Sequence, residues 1–212
     1  MQHILYNMKK DFLLLSLLIL SFSVFAQTRE SINNLHVAED TVIIAADQNR
    51  SKVESILTEV KRIEEFISAN EDKVELMATT RGSQKPMKVV NGEWPDMVNT
   101  SINILRRPNG QIYYYAEYPM SESGDWFIGY SHYFDKEGNV VAFKRIANFF
   151  NAECTDEVAI EKSVYTFDNK HNLTSKTYSL TDSNGIDLSQ KLCWFNYDYD
   201  YTIGQTISDV EK

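Results

Sequence analysis

The 212-residue sequence carries almost none of the short patterns that mark an active site. It has no G-x-S-x-G elbow, no H-E-x-x-H, no P-loop and no Rossmann glycine run, so no catalytic residue and no cofactor is assigned. Histidine is scarce: beyond residue 26 there are only His36, His132 and His171. Of these only His132 falls on a strand pattern, on the face of Tyr130 and Phe134, where a lone histidine is more often structural than catalytic. Basic residues are few, 21 Lys and Arg against 30 Asp and Glu. That balance disfavours a nucleic-acid partner or an anionic lipid surface, both of which need a basic patch. The two cysteines, Cys154 and Cys193, have no close Cys or His at zinc spacing, so no metal site is expected.

Long apolar runs are also missing, with one exception. Phe12 to Phe25 follows Lys9 and Lys10 and ends at Ala26. That order is a secretory signal peptide with cleavage after Ala26, and the run is short of the ~20 residues of a spanning helix. The expected location is periplasmic or secreted, with no stable membrane anchor once the leader is gone. Its removal takes away two lysines and one aspartate, moving the net charge from −9 to −10, a charge that favours solubility. In an oxidising compartment an even cysteine count permits a bridge; it would close a loop of about 40 residues, worth roughly 4 kcal/mol on chain entropy. Two buried free thiols are the other reading.

What is present is a helix and then strands. Residues 27–46 read as an N-terminal extension and 47–212 as one domain. Ser51 and Glu54 match a capping box. Val53, Ile56, Leu57, Val60, Ile63 and Ile67 then recur at helical spacing, with Asn70 as the stop. From Thr79 to Asp96 the turn formers and two prolines predict a loop, broken at most by a short strand at Met87 to Val90. Runs rich in Tyr, Phe, Val, Ile and Thr follow, joined by short links: SINIL, QIYYYAEY, WFIGYSHYF, NVVAFKRI, VAIEKSVYTF, NLTSKTYSL and QKLCWFNYDYDY. Short links between strands imply an antiparallel meander. The fold class is therefore α+β, one long N-terminal amphipathic helix on a meander sheet of about seven strands.

The stretch YFDKEGNVV (Tyr133 to Val141) has the carboxylates of a cation loop. Its relative, Phe167-Asp168-x-x-x-Asn172-Leu173, keeps the aromatic residue, the Asp and the Asn but replaces Glu137 and Gly138 with Lys170 and His171. A calcium site needs converging oxygens and would not survive the change. A turn needs what both copies keep. Arg107 to Ile112 is a weaker third copy.

Aromatic and acidic residues on strands are the remaining functional hint. Trp94, Trp126, Trp194 and the run Tyr113 to Tyr115 exceed what one sheet face buries, and exposed rings suit a protein, peptide or carbohydrate ligand. Strict alternation puts Tyr113 and Tyr115 on the face opposite Tyr114. Asp198 and Asp200 would share a strand face about 7 Å apart, either as a solvated acidic edge or as an acid/base pair. The leading expectation is a non-enzymatic binding module. A hydrolase using dispersed carboxylates and a structural envelope component are the alternatives.

The leader ending in FAQ, the helix SKVESILTEVKRIEEFI and the YFDKEGNVV hairpin together resemble small exported proteins of Gram-negative bacteria without an assigned function. The likeness runs from Lys9 to about Leu180. It implies a soluble periplasmic or secreted α+β domain and supplies no catalytic residue.

Overall fold

The computed structural model describes residues 47–195 and 201–211. The leader, the extension to residue 46, and Asp198 and Asp200 lie outside them. The chain divides between Ser51 and Lys52 into two compact units. Of the first, only residues 47–51 are described, and they are helical. Ser51 therefore sits inside helical backbone, where its N–H is not free, and the expected capping box at Ser51 and Glu54 is not the helix start.

The second unit opens with helix α1, residues 52–69. Asn70 ends it, its side-chain amide donating to the Phe66 carbonyl at 2.9 Å. Eight strands follow: β1 (Glu75–Thr80), β2 (Ser83–Lys88), β3 (Val98–Arg106), β4 (Ile112–Pro119), β5 (Trp126–Phe134), β6 (Val140–Phe149), β7 (Ala159–Phe167) and β8 (Leu173–Asp182). They form one sheet in the order β2-β1-β3-β4-β5-β6-β7-β8. Every neighbouring pair is antiparallel.

The sheet departs from expectation at both ends of the chain. Residues 79–88 are not a loop: β1 and β2 form a hairpin, with Ala78 opposite Met87, and only residues 89–97, between β2 and β3, keep the expected loop character. The hairpin's polar residues and Pro86 hid it. A sheet edge tolerates both, because an edge strand has one unpaired side. At the other end, residues 191–195 form no strand.

Three hairpins share one turn. Asp135, Asp168 and Arg107 each donate their N–H to the carbonyl four residues on, at 2.8–3.0 Å. The residue before that acceptor is left-handed: Gly110 (φ 85°), Gly138 (φ 86°) and His171 (φ 60°). This is a type I turn closed by a left-handed residue, a common three-residue hairpin loop. Asp135 Oδ1 accepts from the N–H groups of Glu137 (2.9 Å) and Asn139 (2.8 Å), and Asn139 Nδ2 donates to Asp135 Oδ2 at 3.1 Å. Asp168 repeats the pattern with Lys170 and Asn172. Asp182 builds the same backbone turn to Ile186, a further copy that the sequence pattern hides because Ile186 replaces the Asn. In the three Asp copies the carboxylate is occupied by its own backbone, as a turn requires; in the Arg107 copy Asn109 Oδ1 accepts from Gln111 N–H at 3.1 Å instead.

Two residues past each shared turn the ladder skips, at Tyr113, Val141 and Thr174. Such a bulge moves a side chain to the other face. Tyr113 therefore joins Tyr114 on the α1 side, while Tyr115 points the other way, a correction to the strict alternation.

Both faces of the central strands are covered. On one, Val60 and Ile63 of α1 are buried with Leu105, Tyr114, Tyr133 and Ala142. Glu64 receives hydrogen bonds from Tyr133 Oη and Lys144 Nζ, both at 2.6 Å. Burial raises the Glu64 pKa, but the bonds from Lys144 and Tyr133 and the Lys144 charge outweigh it, and the net shift is downward. On the other face lies a strap, described over residues 187–195 and 201–206, with a short helix α2 (Ile207–Val210) after it. Leu188 and Val210 are buried there with Ile128, Tyr130 and Phe143. The strap docks on the turn after β5: Val140 donates to the Gln205 carbonyl at 2.9 Å and Ile207 to the Gly138 carbonyl at 3.1 Å.

Candidate cleft at the long-loop end of the sheet

A meander alternates its connections between the two ends of the sheet. The three shared turns lie at one end of the sheet; the longer β4–β5 and β6–β7 links lie at the other. Loops on a rigid scaffold are where binding residues concentrate. Here they form a cleft of ≈ 660 Å³, within the usual range for small-molecule sites.

Its floor is a cross-strand aromatic pair, Trp126 at the start of β5 opposite Phe149 at the end of β6. Phe195 of the strap stacks on Phe149, with centroids 3.9 Å apart and planes 19° from parallel. Trp194 forms a wall and is 69 % exposed. Ser123, Asp125, Asn151 and Glu153 supply the polar side. Asn151 Nδ2 donates to Asp125 Oδ1 at 2.9 Å, and Phe150 N–H to the Asp125 carbonyl at 2.9 Å, so the two loops are tied together before any ligand arrives.

The cysteines fix the third wall. Cys154, in the β6–β7 loop, is disulfide-bonded to Cys193, with Cα atoms 4.8 Å apart. Cys193 immediately precedes Trp194. The bond therefore holds the strap against the loop that carries Asn151 and Glu153, and Lys191 Nζ adds a bond to the Cys154 carbonyl at 3.1 Å.

Of the aromatic residues singled out from sequence, Trp126 and Trp194 meet in this cleft. The others do not join them. Trp94 is 47 % exposed in the β2–β3 connection. Tyr113 and Tyr115 are buried rather than exposed. Arg107 covers the Tyr113 ring at 4.9 Å, and burial raises the phenol's pKa against the lowering influence of Arg62 and Arg107. Tyr115 Oη donates to Glu117 Oε1 at 3.3 Å; burial and the Glu117 charge push its pKa up. His132 is completely buried, and neither ring nitrogen has a hydrogen-bond partner among the described residues. Burial, and then the nearby His171, push it down to about 4, so it is a neutral core residue at ordinary pH. Among the described residues no group of three His, Cys, Asp or Glu side chains is arranged to hold a metal.

Sequence reasoning missed Ser123, Asp125, Asn151 and Glu153. The available signal was topological: in a meander the β4–β5 and β6–β7 links must fall at the same end.

Fold and cleft define a class: an eight-stranded antiparallel sheet, a β3–β8 meander extended by the β1–β2 hairpin, with a disulfide-braced, two-tryptophan cleft at its long-loop end. No family model, no curated protein and no solved structure matches the chain.

Proposed function

We propose that the protein is an exported, non-enzymatic binding module and that the Trp126–Trp194 cleft takes a carbohydrate. The observation that carries this is the pairing of an exposed indole with a rim of Ser123, Asp125, Asn151 and Glu153. A sugar ring has an apolar C–H face that packs on an aromatic plane and a hydroxyl edge that donates to carboxylates and amides. The cleft offers both on one side of the sheet. It has no basic lining residue among those described, which favours a neutral sugar over a phosphorylated or acidic one. Export is supported by the leader pattern ending at Ala26 and by a disulfide, a bond that persists in oxidising compartments.

The test is calorimetric titration with neutral gluco-oligosaccharides and chito-oligosaccharides. At least one series is expected to bind. Trp194→Ala should weaken it tenfold or more without unfolding the protein, since the ring is mostly in solvent, and Trp94→Ala should leave it unchanged. Equal affinity of Trp194→Ala and the parent protein would sink the proposal.

A further inference from the structure

A second cleft, of ≈ 420 Å³, lies between the strap and the β1–β4 half of the sheet. The sheet register builds its floor. Thr79 pairs with Thr100 across β1 and β3, and Ile102 pairs with Glu117 across β3 and β4. All four side chains line the cleft. The strap contributes Tyr201, whose ring stacks on Tyr130 at 3.9 Å and whose hydroxyl donates to Glu117 Oε2 at 3.0 Å. Tyr115 donates to the other carboxylate oxygen. Glu117 is thus held in one orientation by two phenols. Burial and the Glu117 charge both keep those phenols protonated, so they orient the carboxylate without cancelling its charge. Asp209 adds a second carboxylate, and no Lys, Arg or His lines the cleft among the described residues.

A separate observation points to a ligand. Thr79 is 6 % exposed, its side chain lines the cleft, and its Oγ1 has no hydrogen-bond partner among the described residues. An unmet buried hydroxyl is costly unless something completes it.

We infer that this cleft binds a small aliphatic ammonium ion. The N–H groups would meet Glu117 and the Thr79 hydroxyl. Ile102 and Val210 cover the alkyl part. The site is distinct from the tryptophan cleft, and neither proposal needs the other.

The experiment is a titration of the full mature chain with n-butylammonium chloride, using n-butanol and sodium butyrate as shape-matched controls. Binding is read from two-dimensional amide NMR shifts of β1, β3 and β4. The ammonium is expected to bind at least tenfold more tightly than either control, and added salt should weaken it. Glu117→Gln should reduce the affinity at least tenfold. Thr79→Val removes a hydroxyl that bonds no described group, so it should fold normally while weakening binding several-fold; it carries the test if Glu117→Gln fails to fold. Butanol binding as tightly as butylammonium, or shifts unaltered in Thr79→Val, would overturn the inference.

Discussion

At the residue scale, one left-handed residue makes each shared turn, and in the Asp135 and Asp168 copies one carboxylate holds it. Asp135→Ala would leave the N–H groups of Glu137 and Asn139 without their acceptor, an expected loss of about 1–2 kcal/mol. Gly138→Ala forces a side chain into positive φ, about 1–2 kcal/mol. The new Cβ would sit 3.4 Å from Ile207 Cδ1, an ordinary contact, so the loss is that of the backbone conformation. Urea unfolding of both variants measures these losses. His132 sets a pH dependence. Its folded pKa of about 4 lies below its ordinary value of 6.5, so protonation favours the unfolded chain. Stability is full above about pH 6.5 and falls as pH drops toward 4, by up to roughly 3 kcal/mol. The groups around His132 are the rings of Phe134, Phe143 and Tyr201, with His171 the nearby charge. His132→Phe should flatten that part of the pH–stability curve, and an unchanged slope would remove His132 as its source. The turn chemistry was legible in the sequence because Asp-x-x-x-Asn recurs between apolar runs. The bulge at Tyr113 was not, because a bulge is a property of strand pairing, and it alone reversed the face assigned to that ring.

At the scale of elements, α1 and the sheet meet through few but well-buried side chains. Ile63 is 2 % exposed, and Ile63→Ala should cost about 2–5 kcal/mol by transfer and cavity formation. The Glu64–Lys144 pair is half-buried. Glu64→Gln keeps the acceptor for Tyr133 but removes the charge facing Lys144, and should cost less than Glu64→Ala; chemical denaturation of the two variants separates the hydrogen bond from the charge. Strands β5 to β8 were readable because aromatic and β-branched residues alternate between recognisable turns. The β1–β2 hairpin was not, because Ser83, Lys85 and Pro86 give β2 a loop composition that its edge position tolerates. The final run, QKLCWFNYDYDY, has strand composition, yet its described residues 191–195 are strap. Cys193 ties them to the β6–β7 loop rather than to a neighbouring strand.

At the scale of the molecule, the three shared turns close one end of the sheet and the β4–β5 and β6–β7 loops build a cleft at the other. The cysteine bond links this architecture to binding. Its residues are 39 apart in sequence, and on chain entropy the bond is worth about 4 kcal/mol. Reduction should lower Tm and, because Trp194 adjoins Cys193, weaken sugar binding more than it perturbs the α1 face. Sequence had selected Trp126 and Trp194 as unusual aromatics, but their meeting was invisible, since it depends on two loops and a strap far apart in the chain. The three tryptophans provide the most direct test of the carbohydrate site. Indole N–H resonances of the uniformly labelled protein are followed while the tightest oligosaccharide from the calorimetric series is added. Trp126 and Trp194 are predicted to shift together and saturate at one concentration, with Trp94 still. A response at Trp94 with Trp126 and Trp194 unmoved would contradict the account.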